Sequence, residues 1–302
     1  MPTYRDPDII AFRAFWKQAV PNGYAGLEPV DRYRETFDAQ NAAIPPAPGC
    51  TVEMVQFGGC KAERLTPAGG GGNGILLYLH GGGHVFGSAL SHRHMVSRLT
   101  DAANMIAYVP DYRLAPENPY PAGLDDAGAV YAALRQAHPG VAIAVAGESA
   151  GGNLAAALVV RLLQEKSALP SCVYLLSPWL DLTQSGVSMT APAIDDLMIS
   201  RQSLEDCAAY YATDRDRTDP RISPLFGDVT DFPPLLIQVS SDEVLLSDAL
   251  RLAENVALAS GAVDLQCWPE MVHAWPLFHP MISQGREAIT QAAAWLAAKC
   301  VR

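Results

Sequence analysis

The segment AVAGESAGGN, residues 144–153, sets Ser149 in a G-x-S-x-G pentapeptide between an apolar run and a helix-forming stretch. A serine that performs acyl transfer needs an exposed hydroxyl, a base, an acid to orient that base, and amide donors for the developing oxyanion. Gly147 and Gly151 let the chain turn sharply enough to lift the Ser149 hydroxyl to a helix N-terminus. A serine that merely caps a helix is the more frequent occurrence across proteins. Taken alone, the pentapeptide leaves both readings standing.

LHGGGHVFGS, residues 79–88, shifts the balance. Three successive glycines after an apolar run bring backbone N–H groups close to a substrate without Cβ obstruction, which is the element that completes an oxyanion hole upstream of a G-x-S-x-G serine. Gly82 and Gly83 are therefore assigned as oxyanion donors, with the Ala150 N–H as the third. His80 precedes the serine and is read as a brace for the loop. A base and an acid must come from downstream.

These groups need a scaffold, and the chain supplies one. Apolar or alternating runs at 51–57, 61–66, 75–80, 105–110, 142–147, 172–177, 235–240 and 263–268 predict eight strands. The first two are half polar and close together, as in an antiparallel hairpin; the later ones are apolar on both faces, as in a parallel sheet covered by helices. Helices are expected at 88–103, 121–137, 149–166, 245–260 and 284–299. The result is an α/β fold with a doubly wound, mostly parallel sheet and a mixed edge. Residues 1–45, carrying Phe12, Phe15, Trp16 and Tyr33, and residues 184–222 do not fit the alternation and are expected to pack together as a helical cap. The remainder, 46–183 and 223–302, forms the catalytic domain. GGGGNG at 69–74 precedes a strand and lacks a following Lys-Ser or Lys-Thr, so it is read as a hairpin connection and not a phosphate loop.

Composition excludes several classes. With 302 residues and a net charge of -11, the surface is poorly suited to phosphate backbones or anionic lipid, so neither nucleic acid nor a membrane is an expected partner. Asp6, Asp8, Arg13 and Lys17 interrupt the apolar character of the first twenty residues, which argues against a secretory signal and for a cytoplasmic protein. The six cysteines are scattered without a CxxC pair, and Cys172 and Cys267 are expected as buried thiols within strands. His80, His84, His92 and His94 lie close together without carboxylates or thiolates in the local sequence, so no metal and no cofactor is assigned.

Six ordered motifs, HGGG, DYRLAPENPYPA (111–122), GESAGGN, DPRISPL (219–225), SSDEVLLSDA (240–249) and MVHAW (271–275), together resemble the bacterial hormone-sensitive-lipase-like esterases of the α/β-hydrolase fold. The resemblance covers nearly the whole chain. It implies a capped α/β-hydrolase and the chain order serine, acid, histidine, with Asp242 as the acid and His273 as the base. Position agrees: Asp242 ends the seventh strand, Glu243 is expected to point elsewhere, and Asp248 falls within the next helix. His279 lies further from a strand end than His273. The resemblance also makes Asp111, Arg113 and Glu117 supports beneath the oxyanion loop. Glu148, His84 and Ser241 depart from the residues usual in the family, which bears on the acyl pocket and not on the catalytic groups.

The implied activity is a serine carboxylesterase acting on small, soluble esters of short to medium acyl chain through Ser149, His273 and Asp242. A lactonase or amidase would use the same groups. A receptor-like relative that binds a hormone under its cap would lack the histidine. The eighth strand, if exposed, offers an edge for a homodimer.

Overall fold

A computed structural model describes residues 5–20 and 29–300; the parts of the expected N-terminal cap at 1–4 and 21–28 lie outside the described residues. Two helices, α1 (Pro7–Ala19) and α2 (Val30–Ala42), precede the sheet. The strands are β1 (Thr51–Phe57), β2 (Cys60–Thr66), β3 (Ile75–Leu79), β4 (Ile106–Pro110), β5 (Ile143–Glu148), β6 (Cys172–Leu176), β7 (Leu235–Ser240) and β8 (Val263–Trp268). Between and after them lie α3 (Ala89–Ala103), α4 (Ala122–Ala137), α5 (Ala150–Gln164), α6 (Arg201–Ala212), α7 (Leu246–Leu258) and α8 (Ser283–Cys300).

The strands form one sheet in the order β1-β2-β4-β3-β5-β6-β7-β8. β2 runs antiparallel to both β1 and β4, and all other pairs are parallel. This is the eight-stranded, mostly parallel sheet of the α/β-hydrolase fold. Side chains alternate between two cores, as the period of a strand requires. Leu77, Val145 and Val173 face α4, α5 and α7, whereas Leu76, Ala144 and Cys172 face α3 and α8.

Two local expectations change. The glycine-rich 69–74 segment is not a hairpin connection, because β4 lies between β2 and β3. It passes over the start of β4, where Gly72 bridges Met105 and the Asn73 N–H donates to the Asn104 carbonyl. Gly71 holds φ +78, and a Cβ there would stand 2.4 Å from Ile106. Cys172 is buried as expected, but Cys267 is exposed because β8 is the edge strand.

The segments outside the alternation reach the sheet by different routes. α1 buries Ile9, Phe12 and Trp16 against the chain around Phe278, and Asp8 accepts hydrogen bonds from Ser283 of α8. Arg13 reaches from α1 to Asp195 at 2.5 Å, linking it to the 184–222 segment. That segment holds a 3-10 turn at Val187–Met189 and the helix α6, the remainder being irregular. Its apolar side, with Leu204, Ala208 and Tyr211, packs on Val85, Phe86 and Trp179 at the C-terminal ends of the strands. None of the helices among the described residues is long and apolar enough to cross a membrane.

Candidate active site

Ser149 occupies the position preceding α5, yet its side chain makes no capping bond. Its backbone sits at φ 55, ψ -121, a region that L-residues adopt at a cost of about 1–3 kcal/mol and that clusters at functional sites. The flanking glycines are demanded by space: a Cβ on Gly147 would stand 2.3 Å from the Gly151 carbonyl oxygen, and one on Gly151 2.0 Å from that of Leu79. The strand-to-helix turn is therefore tight enough to expel the serine hydroxyl from the backbone and present it to its neighbours.

Those neighbours arrive from the ends of β7 and β8. Ser149 Oγ lies 2.9 Å from His273 Nε2, and His273 Nδ1 lies 2.7 Å from Glu243 Oε2. A carboxylate can only accept, so the proton sits on Nδ1 and leaves Nε2 free to accept the serine proton. Glu243 Oε1 accepts two further bonds, from Ser177 Oγ at 2.7 Å and from the Ser240 N–H at 2.8 Å. Ser177 Oγ also accepts the Ala274 N–H at 3.1 Å, and Ser240 Oγ donates to the Met271 carbonyl at 2.9 Å, so the histidine loop is tied to β6 and β7.

Asp242 does not take the position expected of it. It accepts from the Ser241 hydroxyl at 2.8 Å and is only partly buried, while Glu243 is fully buried. β7 ends at Ser240; Ser241 and Asp242 make the turn, and the next residue is the one aimed back over the strand end. Asp248 is buried elsewhere, accepting the Leu180 and Asp181 N–H groups, and burial and the Asp181 charge push its pKa up to about 7 against those bonds. His279 pairs with His94, their ring nitrogens 3.1 Å apart. The sequence did carry a hint of the true partner: Glu243 stands directly before the apolar run Val244-Leu245-Leu246, where a carboxylate is buried and must be bonded.

Burial alone would depress the His273 pKa, but the hydrogen bond and charge of Glu243, with the charges of Asp196 and Glu148, more than offset it, and the pKa is raised. Asp196 comes from the 184–222 segment and accepts the Val244 N–H at 3.1 Å. Burial lifts its own pKa to about 6.

Gly82 and Gly83 line the same cavity as Ser149 and His273, and Ala150 is buried at the start of α5. Both glycines have positive φ, 110 and 62. The loop is held from several sides. The His80 ring stacks on Tyr112 and its Nδ1 lies 2.8 Å from the Gly81 carbonyl, consistent with a brace. His84 does not line the cavity; it stacks on Tyr211 of α6 with ring centroids 3.7 Å apart, clamping the loop to that helix. Arg34 of α2 donates to the Val85 and Ala115 carbonyls and pairs with Glu117 at 2.8 Å, a support that sequence reasoning saw only from the Glu117 side. Asp111 accepts the Ala89 N–H at the start of α3, and Arg113 pairs with Asp126 of α4, away from the loop.

The cavity beside Ser149 measures about 60 Å³, and Met198, Ile199 and Leu204 of the 184–222 segment form part of its lining. A larger chamber of about 660 Å³, lined by Phe12, Phe15 and Trp16 of α1 and Tyr33 of α2, shares Phe37 and Leu277 with it. No group of three or more metal-ligating side chains occurs among the described residues.

Comparison with known proteins adds three findings. A family profile described as alpha/beta hydrolase fold matches residues 76–277. An acetyl-hydrolase of Streptomyces hygroscopicus is 41% identical over 268 residues, covering 88% of this chain and 87% of the relative, and an esterase of Acinetobacter venetianus is 32% identical over 262 residues, covering 86% of each. The crystal structure of an esterase from the bacterial hormone-sensitive lipase family superposes with a TM-score of 0.92 at 32% identity, covering 99% of this chain and all of the other.

Proposed function

The chain belongs to the α/β-hydrolase fold family, among its bacterial hormone-sensitive-lipase-like esterases, and from that membership we propose that it hydrolyses short to medium acyl esters through Ser149, His273 and Glu243. The observation that carries this reading is the unbroken relay from Ser149 Oγ through both nitrogens of His273 to Glu243.

In the proposed reaction, Ser149 Oγ attacks the ester carbonyl while its proton moves to His273 Nε2. The oxyanion is held by the N–H groups of Gly82, Gly83 and Ala150. Collapse of the tetrahedral intermediate breaks the bond to the alkoxide, which leaves as an alcohol with the proton from His273. A water then attacks the acyl group as it gives a proton to His273, and collapse of the second tetrahedral intermediate breaks the bond to Oγ, returns that proton to Ser149 and releases the carboxylic acid. Glu243 stabilises the imidazolium formed in each half and keeps Nε2 directed at the serine.

The preference for short chains is supported by the small cavity beside Ser149 and by the acetyl-hydrolase name of a 41% identical relative. On this reading residues 1–45, as far as they are described, and the 184–222 segment act as a cap that limits the acyl chain. The intact His273 relay distinguishes the chain from a receptor-like member that only binds. The test is Ser149→Ala: hydrolysis of p-nitrophenyl butyrate should fall to background with folding retained, and a fluorophosphonate probe should label wild type at Ser149 alone. Near wild-type hydrolysis by the variant would overturn the reading.

A further inference from the structure

The residue before the nucleophile is a fully buried carboxylate that the relay does not use. Glu148 ends β5, and its two oxygens gather groups from three other places in the fold. Oε2 accepts the Tyr78 hydroxyl at 2.6 Å from β3. Oε1 accepts the backbone N–H of Gly81, the residue immediately before the first assigned oxyanion donor. Oε1 also lies 2.7 Å from His92 Nε2 of α3, and His92 Nδ1 in turn lies 3.1 Å from the Ser88 carbonyl. The Ser91 hydroxyl, which donates to the Ser88 carbonyl, also lies 3.1 Å from Nδ1, so acceptors face both ring nitrogens and His92 is served best as an imidazolium donating from each.

We propose that Glu148 is a positioning residue for catalysis: by holding the Gly81 N–H it sets the distance from the nucleophile's backbone to the oxyanion amides, and His92 keeps its carboxylate in register. The inference rests on the hydrolytic reading above and adds a residue to it. Glu148 is covalently joined to Ser149, and Gly81 to Gly82, so one carboxylate links the attacking group to the groups that stabilise the charge it creates. The fit leaves little slack, since a Cβ on Gly81 would stand 2.5 Å from Oε1. Burial opposes the ionised carboxylate, but His92 and the bonds from His92 and Tyr78 outweigh it and lower the Glu148 pKa, while the same pairing raises that of His92 against its own burial.

The role predicts a loss confined to the charged transition state. Glu148→Gln can keep an oxygen for both Gly81 and His92 only by turning its NH2 toward the Tyr78 hydroxyl, and it removes the negative charge that pairs with His92. It should lower kcat on p-nitrophenyl butyrate about tenfold to a hundredfold, less than removal of a whole oxyanion donor, with KM changed less than about threefold. Affinity for an alkyl trifluoromethyl ketone, whose serine adduct carries the oxyanion, should fall by the same factor as kcat/KM. His92→Gln, which leaves the Glu148 carboxylate and its bond to Gly81 in place but unsteadied, should show the same coupled loss at smaller size and serves if Glu148→Gln does not fold. A folded variant with wild-type kcat and ketone affinity, lowered only in Tm, would reduce Glu148 to a fold-stabilising residue and overturn the proposal. So would a loss of kcat without loss of ketone affinity. If wild type itself neither hydrolyses the ester nor binds the ketone, the hydrolytic reading falls and this inference falls with it; if wild type does both, only the inference is at stake.

Discussion

Glu243 Oε2 lies 2.7 Å from His273 Nδ1, reached across thirty residues of chain, whereas Asp242 is engaged by its own neighbour Ser241. One step along a turn separates a buried acid bonded to an imidazole from a partly exposed one that is not.

That step can be tested by two amide substitutions. Glu243→Gln preserves shape but presents an N–H to His273, favouring the wrong tautomer; the equivalent carboxylate-to-amide change in the serine proteases costs roughly 10⁴ in kcat. Asp242→Asn should remain within about threefold of wild type, since surface changes away from a buried network have small effects. Measuring kcat of both on one ester, with circular dichroism to verify folding, decides between them: a crippled Asp242→Asn and an active Glu243→Gln would reverse the assignment.

The pH dependence follows from the direction of the His273 shift. Only the neutral imidazole accepts the serine proton, so kcat/KM should climb with pH through the folded pKa of His273. Because that pKa is raised, the midpoint of the acid limb should lie above the ordinary value of about 6.5. The charges facing the ring are Glu243 from the β7 turn, Asp196 from the 184–222 segment and Glu148 from β5. Asp196→Asn keeps an acceptor for the Val244 N–H but removes one of them, and should move the limb to lower pH. A midpoint below 6.5 in wild type, or no movement in the variant, would contradict this account.

Acyl length should show a ceiling. The cavity beside Ser149 is small and partly walled by Met198, Ile199 and Leu204, so p-nitrophenyl acetate, butyrate and hexanoate should each be turned over faster than the palmitate ester. Equal or higher rates on emulsified palmitate would mean that the 184–222 segment does not limit the chain.

Gly151 should be irreplaceable on steric grounds alone. Its Cβ would come within 2.0 Å of the Leu79 carbonyl oxygen and 2.4 Å of that of His80, backbone atoms at and just past the end of the central strand β3 that cannot move aside. Gly151→Ala should therefore destabilise by about 2 kcal/mol or more, in the range of overpacked cores. At Gly140, with φ +80 and nothing near the Cβ, the same change should cost only about 1 kcal/mol. Comparative thermal melting separates the two.

Much of this molecule is local in origin and was legible as such. The strands lie within a residue or so of the apolar runs, because a buried parallel strand needs unbroken apolar side chains and cannot hide them elsewhere. The turn at Ser149 and the glycine loop at 81–83 were readable for a related reason: a strained turn and a close backbone approach leave glycines at fixed offsets. Tertiary structure decided what depends on the phase of a turn or on strand order. Successive residues at a strand end point in different directions, and nothing in SSDEV states how many residues the turn consumes, so the choice of Glu243 over Asp242 waited for the fold. The exposure of Cys267 followed from β8 being at the edge, and the path of 69–74 from β4 lying between β2 and β3. Glu148 sits inside the G-x-S-x-G pentapeptide, but nothing in the spacing ties it to His92, 56 positions earlier; their 2.7 Å contact exists because β5 and α3 meet beside the glycine loop at 81–83, a relation among distant segments that only packing creates.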